Sequence, residues 1–389
     1  MSFCLLYFLS MSDYDKEALR LHKKHAGKIH IELNDRQETL DKLKYYYTPG
    51  VAAVSKEIHA HPETLSEYTW VKNTVAVISD GSAVLGLGNI GPKAAMPVIE
   101  GKCLLFKRFA NINAVPIVIN VHTADDIVRA IKAISNSFGG INLEDIAAPI
   151  CFDVESRLTK ELSIPVFHDD QHGTAIVTLA GLINACKAIG KDLKGARVVV
   201  SGSGAAGIAI SKLLKKYEPG IRLCLIDSKG IVSSKRKDLN DSKKAILNLL
   251  DSKFKSGTLV DAVIGANIFI GVSQPNILSP EMVRSMAKDP IVFAMANPDP
   301  EIDPALAKDS GVAVMATGRS DYPNQINNAL AFPGIFRGAL DNRITHITDD
   351  HKIKAAKAIA GLIKQPKAEK IIPPLSDPKL TPAIAAVIR

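Results

Sequence analysis

The stretch Val198-Val-Val-Ser-Gly-Ser-Gly-Ala-Ala-Gly207 decides the fold of the second half of this chain. A β-branched apolar run leads into three glycines, Gly202, Gly204 and Gly207, and a helical pattern follows. The first glycine permits a tight turn, the second lets the backbone approach a pyrophosphate, and the third lets the helix pack on the strand. Asp227 follows 20 residues after Gly207, at the end of the next predicted strand. The stretch therefore predicts a Rossmann-type dinucleotide site, with the pyrophosphate at the helix N-terminus.

The choice between NAD and NADP depends on Asp227. A carboxylate at this place binds both ribose hydroxyls and repels a 2′-phosphate, so NAD is favoured. Lys229 or the run Lys235–Lys237 could neutralise such a phosphate, and NADP therefore stays open. The residues predicted to contact the dinucleotide in this region are Gly202, Ser203, Gly204, Ala205, Ala206, Gly207 and Asp227.

A second stretch with the same glycine spacing, Gly86-Leu-Gly-Asn-Ile-Gly91, serves as an internal comparison. Pro92 follows its third glycine, and the next predicted strand, 103–106, leads into Lys107 and Arg108 rather than into an acid. We therefore interpret it as a loop of the substrate domain and not as a second cofactor site.

The remaining pattern predicts an α/β protein with two domains. Apolar strands are predicted at 75–79, 103–106 and 115–121, and again at 197–201, 222–227, 259–264, 291–295 and 312–315, with helices between them. We expect an N-terminal α/β substrate domain over 1–164. A Rossmann-type domain with a mostly parallel sheet and a C-terminal helical segment is expected over 165–389.

Two acidic pairs, Glu144–Asp145 and Asp169–Asp170, flank a short strand-like segment. Four carboxylates near one corner of the fold repel one another unless a cation neutralises them, and hard divalent cations prefer oxygen ligands. The pattern therefore predicts a site for Mn²⁺ or Mg²⁺.

Composition excludes several other classes of protein. The 389 residues carry a net charge of +8, but Trp70 is the only tryptophan and no aromatic ladder accompanies the basic residues, so nucleic-acid binding is not expected. The five scattered cysteines fit a reducing cytoplasm, and no run is long enough to span a membrane. The apolar residues 1–10 lack a basic start and a cleavage site, so no signal peptide is expected; a start at Met11 fits equally well.

Several segments together resemble the malic enzymes, in the compact bacterial form, over roughly 40–340. They include Tyr47-Thr-Pro-Gly-Val-Ala52, Ser79-Asp-Gly-Ser-Ala-Val-Leu-Gly-Leu-Gly-Asn-Ile-Gly91, Glu100-Gly-Lys102, Asn142-Leu-Glu-Asp-Ile146, Phe167-His-Asp-Asp-Gln-His-Gly-Thr-Ala175, Ala296-Asn-Pro-Asp-Pro-Glu-Ile302 and Asn327-Asn-Ala-Leu-Ala-Phe-Pro-Gly334. The resemblance implies metal-dependent oxidative decarboxylation of (S)-malate to pyruvate and CO₂ with reduction of NAD(P)⁺.

The resemblance also implies roles for individual residues. Glu144, Asp145 and Asp170 would hold the metal. Lys102, predicted at a strand start and tuned by Asp169, would act as general base, because a metal and a cationic nicotinamide would lower its pKa. Tyr47 would protonate C3 of enolpyruvate.

Substrate contacts are expected from Asn297, which would also lie against the cofactor, and from Asn328. A homodimer is expected, in which Tyr47 acts across the interface. One departure concerns Ala83, because larger family members carry at this place an arginine that clamps a malate carboxylate.

Three other functions fit parts of the pattern. A malolactic enzyme would keep the metal, lysine and tyrosine but release lactate. An oxaloacetate decarboxylase would use only the metal, and the intact glycine stretch argues against it. A non-catalytic nucleotide-sensing module would have lost catalytic residues, and none is missing.

Overall fold

A computed structural model describes residues 13–35, 40–84 and 86–389. The expectations for residues 1–10 lie outside this described part. The strands are β1 (Thr74–Ser79), β2 (Asn113–Val118), β3 (Gly140–Leu143), β4 (Val166–His168), β5 (Arg197–Ser201), β6 (Arg222–Asp227), β7 (Gly230–Ile231), β8 (Ile268–Gly271), β9 (Ile291–Ala294) and β10 (Val314–Thr317).

Helices connect the strands in both halves. They are α1 (Asp13–His25), α2 (Leu40–Tyr46), α3 (Val51–Ala60), α4 (Leu65–Tyr68), α5 (Pro92–Ala110), α6 (Ala124–Ile134), α7 (Ile150–Glu161), α8 (Asp169–Ala188), α9 (Ala205–Tyr217), α10 (Asp241–Lys244), α11 (Leu259–Val263), α12 (Pro280–Ser285), α13 (Pro304–Asp309), α14 (Phe332–Asp341), α15 (Asp349–Gly361) and α16 (Leu380–Ala385). None of the helices in the described ranges is long and apolar enough to cross a membrane.

The glycine stretch lies in a six-stranded sheet of order β10-β9-β8-β5-β6-β7. All neighbours are parallel except the short β7, which pairs antiparallel with β6. The chain reverses its direction of travel across the sheet between β5 and β8, and the glycines follow β5 at this point. In open parallel sheets such a crevice at the carboxyl ends of the strands is where dinucleotides bind. The Rossmann-type prediction is confirmed.

The N-terminal half contains a parallel four-stranded sheet of order β2-β1-β3-β4. Its last strand, β4, lies beyond residue 164 and passes directly into α8, which packs against the helices of the dinucleotide-binding half. One helix thus belongs to both halves, and the boundary at 164/165 stays a prediction.

Two predicted strands are wrong. Residues 103–106 belong to α5, in which Ala95, Ile99, Cys103, Phe106 and Ala110 recur at helical spacing and are buried. The apolar run gave no clear period, and a short run of this kind does not separate strand from helix.

The second wrong strand, predicted at 259–264, is instead the helix α11, which ends at Val263. Thr258 and Asp261 make a reciprocal capping box at the start of this helix. The strand of this region is instead β8, four residues further along the chain.

Aromatic packing fixes α5 against the C-terminal half. The ring of Phe106 lies 4.7 Å from that of Phe332 and 5.3 Å from that of Phe336, measured between centroids. Phe167, on β4, lies 6.0 Å from Phe336. All four rings are fully buried, so the helix that carries Lys102 is held firmly relative to α14 and β4.

We predict that Gly207→Ala destabilises the protein and that Gly204→Ala does not. A Cβ at Gly207 would lie 1.7 Å from the carbonyl oxygen of Gly202, a backbone atom, so α9 would have to move away from the turn. Such overpacking lowers the free energy of unfolding by about 1–3 kcal/mol. A Cβ at Gly204 meets no heavy atom of the described residues within 4 Å.

Thermal unfolding and dinucleotide titration measure the two effects separately. The Gly204→Ala variant should keep the unfolding temperature and bind NAD⁺ more weakly, because the methyl group occupies space that the pyrophosphate needs. An equal fall in unfolding temperature for both variants would contradict the assignment of the two glycines.

Candidate active site

The four predicted carboxylates meet because β3 and β4 are neighbouring parallel strands, with Leu143 opposite His168. Glu144 and Asp145 directly follow β3, while Asp169 and Asp170 begin α8 directly after β4. Glu144, Asp145 and Asp169 are at most 5% exposed. The structure therefore brings both acidic pairs to one edge of the sheet.

Lys102 reaches this cluster from the middle of α5, not from a strand start as predicted. Its Nζ lies 2.6 Å from Asp169 and 2.8 Å from Glu144, and 4.5 Å from the centre of the Phe332 ring. Lys102 is 7% exposed. An ammonium can stay buried here because carboxylates surround it and an aromatic face covers it.

The pKa of Lys102 reflects these neighbours. Burial alone would lower it, but the carboxylates of Asp169, Glu144 and Asp170 outweigh burial and raise the pKa above its ordinary value. The protein groups alone therefore favour the ammonium form. The lowered pKa expected for Lys102 beside a metal and a nicotinamide stays a prediction.

The chemistry of Glu144, Asp145 and Asp170 fits a hard divalent cation. One carboxylate oxygen from each of the three lies within 4.8 Å of the others. Burial, together with the neighbouring carboxylates, raises the pKa of Glu144 to about 7, of Asp145 to about 9 and of Asp170 to about 6. Within the described ranges, Asp145 Oδ2 is buried without a hydrogen-bond partner. A cation would satisfy this oxygen and the unbalanced charge together.

Backbone geometry contributes to the cluster. Asp145 has φ = +52°, in the left-handed region, and its N–H donates to Asp170 Oδ2 at 2.8 Å. Its carbonyl oxygen accepts the N–H of Ala83 at 3.0 Å. The backbone N–H of Ala83 is therefore occupied by a protein acceptor. It does not supply the contact to a malate carboxylate that the arginine makes in larger family members.

Sequence reasoning missed Asn142 and Phe332 as parts of the site. Asn142 is fully buried on β3 and donates to Glu144 at 3.0 Å, which orients that carboxylate. An amide in an otherwise apolar central strand is a signal that could have identified it. The ring of Phe332 over Lys102 depends on long-range packing, which no local pattern announces.

Asn328 lies beside Asp169, although 159 positions separate them in the chain. Both contact the space above Gly173, where a Cβ would lie 1.9 Å from Asp169 Oδ1 and 2.9 Å from the Cβ of Asn328. Only glycine fits between these two side chains, so Gly173 permits their close approach.

Asn297 lies three residues after the end of β9 and is exposed. A Cβ at Gly86 would lie 2.5 Å from the carbonyl oxygen of Asn297, and Gly86 has φ = +73°. The second glycine stretch therefore contacts the Asn297 loop. It follows β1 and leads into α5, and the next strand is β2, which ends in Val118 rather than in an acid.

The dinucleotide turn and Asp227 lie at the ends of the adjacent strands β5 and β6. Asp227 is already paired, with Oδ1 2.6 Å from Arg236 and Oδ2 2.5 Å from Lys243. Burial opposes ionisation, but hydrogen bonds from these two cations lower the pKa of Asp227. Of the groups predicted to neutralise a 2′-phosphate, the run 235–237 supplies Arg236 beside Asp227, whereas Nζ of Lys229 pairs with Asp238.

Tyr47 is a candidate residue for which the structure, over its described ranges, shows no contact with Lys102 or the carboxylate cluster. It follows α2 with 71% of its surface exposed, and α3, which comes next, has no buried residue. Among the described residues, no hydrogen bond joins the Tyr47 hydroxyl to Lys102 or to the carboxylates.

Comparison with known proteins agrees with this geometry. The family model for the malic enzyme N-terminal domain matches residues 26–159, and that for the malic enzyme NAD-binding domain matches residues 171–388. A bifunctional malic/malolactic enzyme of Bacillus subtilis is 52% identical over 96% of this chain and 92% of its own length. An NADP-dependent malic enzyme of Halomonas elongata is 48% identical over 93% and 86%.

A solved structure leads to the same family. The crystal structure of an NAD-dependent malic enzyme from Thermotoga maritima superimposes with a TM-score of 0.92. It is 46% identical in sequence, and the match covers 95% of this chain and 98% of that one.

We predict that Mn²⁺ stabilises the protein more strongly at pH 8 than at pH 5. Burial raises the pKa of Glu144, Asp145, Asp169 and Asp170 to between about 6 and about 9, above ordinary values of 3.8–4.5. Between the ordinary pKa values and the raised ones, the folded metal-free protein therefore holds more protons than the unfolded chain. Its stability falls as pH rises through this range. Metal binding requires ionised carboxylates and offsets this loss.

Thermal unfolding with and without Mn²⁺ across this pH range measures the effect. Asp170→Asn should abolish the stabilisation by Mn²⁺ at pH 8. The interpretation fails if the stabilisation is the same at both pH values, or if it survives in this variant.

Proposed function

The chain belongs to the malic enzyme family, and we propose that it catalyses the oxidative decarboxylation of (S)-malate to pyruvate and CO₂ with reduction of NAD⁺ or NADP⁺. The observation that carries the proposal is the buried contact of Lys102 with Asp169 and Glu144, directly beside the three-carboxylate cluster. A general base, a place for a divalent cation and a dinucleotide turn are the three parts that this reaction needs.

Glu144, Asp145 and Asp170 would hold Mn²⁺ or Mg²⁺. When bound, the cation supplies a Lewis acid that polarises the oxygens of the substrate. In the neutral form that a bound cation and a cationic nicotinamide would favour, Lys102 would take the proton of the C2 hydroxyl, and Asp169 would hold the lysine in place. The nicotinamide would supply the acceptor for the hydride from C2. Asn328, beside Asp169, and Asn297 donate hydrogen bonds to the substrate, and Asn297 also lies against the cofactor.

The turn after β5 would hold the cofactor. The residues whose backbone would bind its pyrophosphate at the start of α9 are Gly202, Ser203, Gly204, Ala205, Ala206 and Gly207. Gly204 supports this position of the pyrophosphate, because a Cβ built there meets no heavy atom of the described residues within 4 Å. The space beside this glycine is therefore open.

NAD⁺ is the preferred cofactor, and NADP⁺ is also accepted. Asp227 keeps a carboxylate for the ribose, which favours NAD⁺. Arg236 and Lys243 neutralise that carboxylate, which lowers the repulsion of a 2′-phosphate. The relatives do not decide between the two, since one is named NADP-dependent and another NAD-dependent.

Tyr47 serves as the acid that protonates C3, and it does so in the active site of a second copy of the chain. Tyr45, Tyr46 and Tyr47 are between 58% and 71% exposed around one turn. An exposed aromatic group of this kind is typical of a surface that a partner covers. A homodimer would bury these rings and bring Tyr47 to the partner's substrate.

A second candidate function is the malolactic reaction, favoured by the name of the Bacillus subtilis relative. In this reaction the reduced cofactor formed from malate is used again to give lactate. An assay with (S)-malate, Mn²⁺ and either NAD⁺ or NADP⁺ separates the candidates. Absorbance at 340 nm with matching pyruvate supports the malic enzyme reaction, and lactate without net reduced cofactor supports the malolactic reaction. No turnover with either cofactor would refute both.

We predict that Lys102→Ala and Tyr47→Phe each lose at least about 10²-fold in turnover, since both remove a proton-transfer group. When the two variants are co-expressed, half of the dimers are mixed. If Tyr47 acts across the interface, each mixed dimer has one intact site, so about a quarter of wild-type activity returns.

A matched pair controls this experiment. Co-expression of Lys102→Ala with Asp169→Asn should restore nothing, because Lys102 and Asp169 meet within one chain. Absence of recovery in the first pair would show that Tyr47 does not act on the partner's site.

We also predict that Lys243→Gln weakens the use of NADP⁺ relative to NAD⁺ by about tenfold, since a hydrogen bond to a charged group contributes about 1.5–3 kcal/mol. Lys244→Gln is the control, because Lys244 pairs with the exposed Asp241 instead. The ratio of kcat/KM for the two cofactors measures the effect. An unchanged ratio in Lys243→Gln would remove this lysine from cofactor selection.

A further inference from the structure

The carboxylate of Glu155 is not used by the reaction described above, yet it is firmly held. Glu155 lies on α7, and its side chain is 14% exposed. It accepts the backbone N–H of His168 at 3.0 Å and the side-chain amide of Gln171 at 3.1 Å. The Nε2 atom of His172 lies 2.9 Å from the same carboxylate.

All three partners come from five consecutive residues, 168–172, which include Asp169 and Asp170. His168 is the N-cap of α8, and its ring accepts the N–H of Gln171 at 3.4 Å. Glu155 thus holds the helix immediately before the two aspartates and again in the turn immediately after them. The directions of the Asp169 and Asp170 side chains follow from the position of this helix start.

A carboxylate at this place is costly. Burial opposes the ionisation of Glu155, and an apolar side chain would hold α7 and α8 together without that desolvation cost. His172, His168 and Lys352 outweigh burial and lower the pKa of Glu155. A carboxylate has one property that an apolar residue lacks, which is to accept several directed hydrogen bonds at once.

We propose that Glu155 is a positioning residue that fixes the helix start at 168–172 so that Asp170 binds the divalent cation and Asp169 contacts Lys102. The proposal rests on the function proposed above. Glu155 acts through the aspartates and contacts neither substrate nor cation.

The test compares Glu155→Gln with the wild-type full-length chain. Glutamine has nearly the same shape, but its amide nitrogen would face N–H donors and leave at least one of them unpaired. The fold should tolerate this change, because Glu155 and His172 line a cavity of about 340 Å³ in which water can reach an unpaired donor.

Three quantities are measured: the Mn²⁺ affinity by titration with detection of free Mn²⁺, the NAD⁺ affinity, and the unfolding temperature without metal. We expect Mn²⁺ binding to weaken about 10–100-fold, as for other residues that orient metal ligands. The NAD⁺ affinity should not change, because the dinucleotide turn lies on β5 and α9.

His172→Gln is the milder second variant, because it removes one of the three partners and leaves the other two. It should weaken Mn²⁺ binding less than Glu155→Gln does. Asp251→Asn is the matched control. Asp251 is also 14% exposed and is held by Arg222 at 2.9 Å, remote in the chain from the carboxylate cluster.

Weakened Mn²⁺ binding with retained NAD⁺ affinity in Glu155→Gln supports the proposal. Wild-type Mn²⁺ affinity in this variant overturns it, as does an equal loss of Mn²⁺ and NAD⁺ affinity or an equal effect of Asp251→Asn. If Glu155→Gln does not fold, His172→Gln decides, and wild-type Mn²⁺ affinity there overturns the proposal. A wild-type protein that binds no Mn²⁺ refutes the proposed function itself, which distinguishes the two failures.

Discussion

The ion pairs of Lys102 with Asp169 and Glu144 are the interaction on which the arrangement of the site depends. One ammonium faces four carboxylates in a buried place, so the protein groups alone carry an excess of negative charge. Burial of such charges costs more than their attraction returns unless the remaining oxygens find partners. The raised pKa of Asp145 and its unpartnered Oδ2 express this imbalance. A divalent cation would remove most of this imbalance, which supports the metal site proposed above.

Each of these charges is delivered by a different part of the fold. Parallel pairing of β3 with β4 brings Glu144 and Asp170 to the same edge, and α5 approaches that edge with Lys102. The rings of Phe106 and Phe332 fix α5 against α14. The distance between Lys102 and Asp169 is thus set by apolar packing across the two halves. The same interaction explains why Gly173 carries no side chain, since a methyl group there would displace Asp169.

The sequence predicted those features that depend on neighbours in the chain. The turn at Gly202–Gly207 is local, and so are the acidic pairs, which directly follow β3 and β4. The segment between the pairs is not only a short strand, because it contains α7 before β4, and the metal role of the pairs stays a prediction. The short apolar run Cys103–Phe106 predicts a strand that starts at Lys102. Only the buried positions along the whole of α5 reveal the helix. Arg236 and Lys243 reach Asp227 through the fold, 9 and 16 residues further along the chain, so the state of that carboxylate could not be inferred from its position. The role of Glu155 could not be predicted for the same reason. It lies on α7, and its hydrogen-bond partners lie at the start of α8.

α8 connects the carboxylate cluster to the dinucleotide-binding half of the chain. It begins with Asp169 and Asp170 and packs against α9 and α15 in the shared core. Its side chains from Ala175 to Cys186 are all buried, which is expected of a helix that is apolar on every face. Gly181 permits close contact with Phe293 of β9, inside the dinucleotide-binding sheet. The helix that begins with Asp169 and Asp170 is therefore packed directly on the sheet that carries the dinucleotide turn. Since close-packed interiors transmit displacement rather than absorb it, the separation of Asp169 and Asp170 from the dinucleotide turn is fixed by this core and not by the loops around the site.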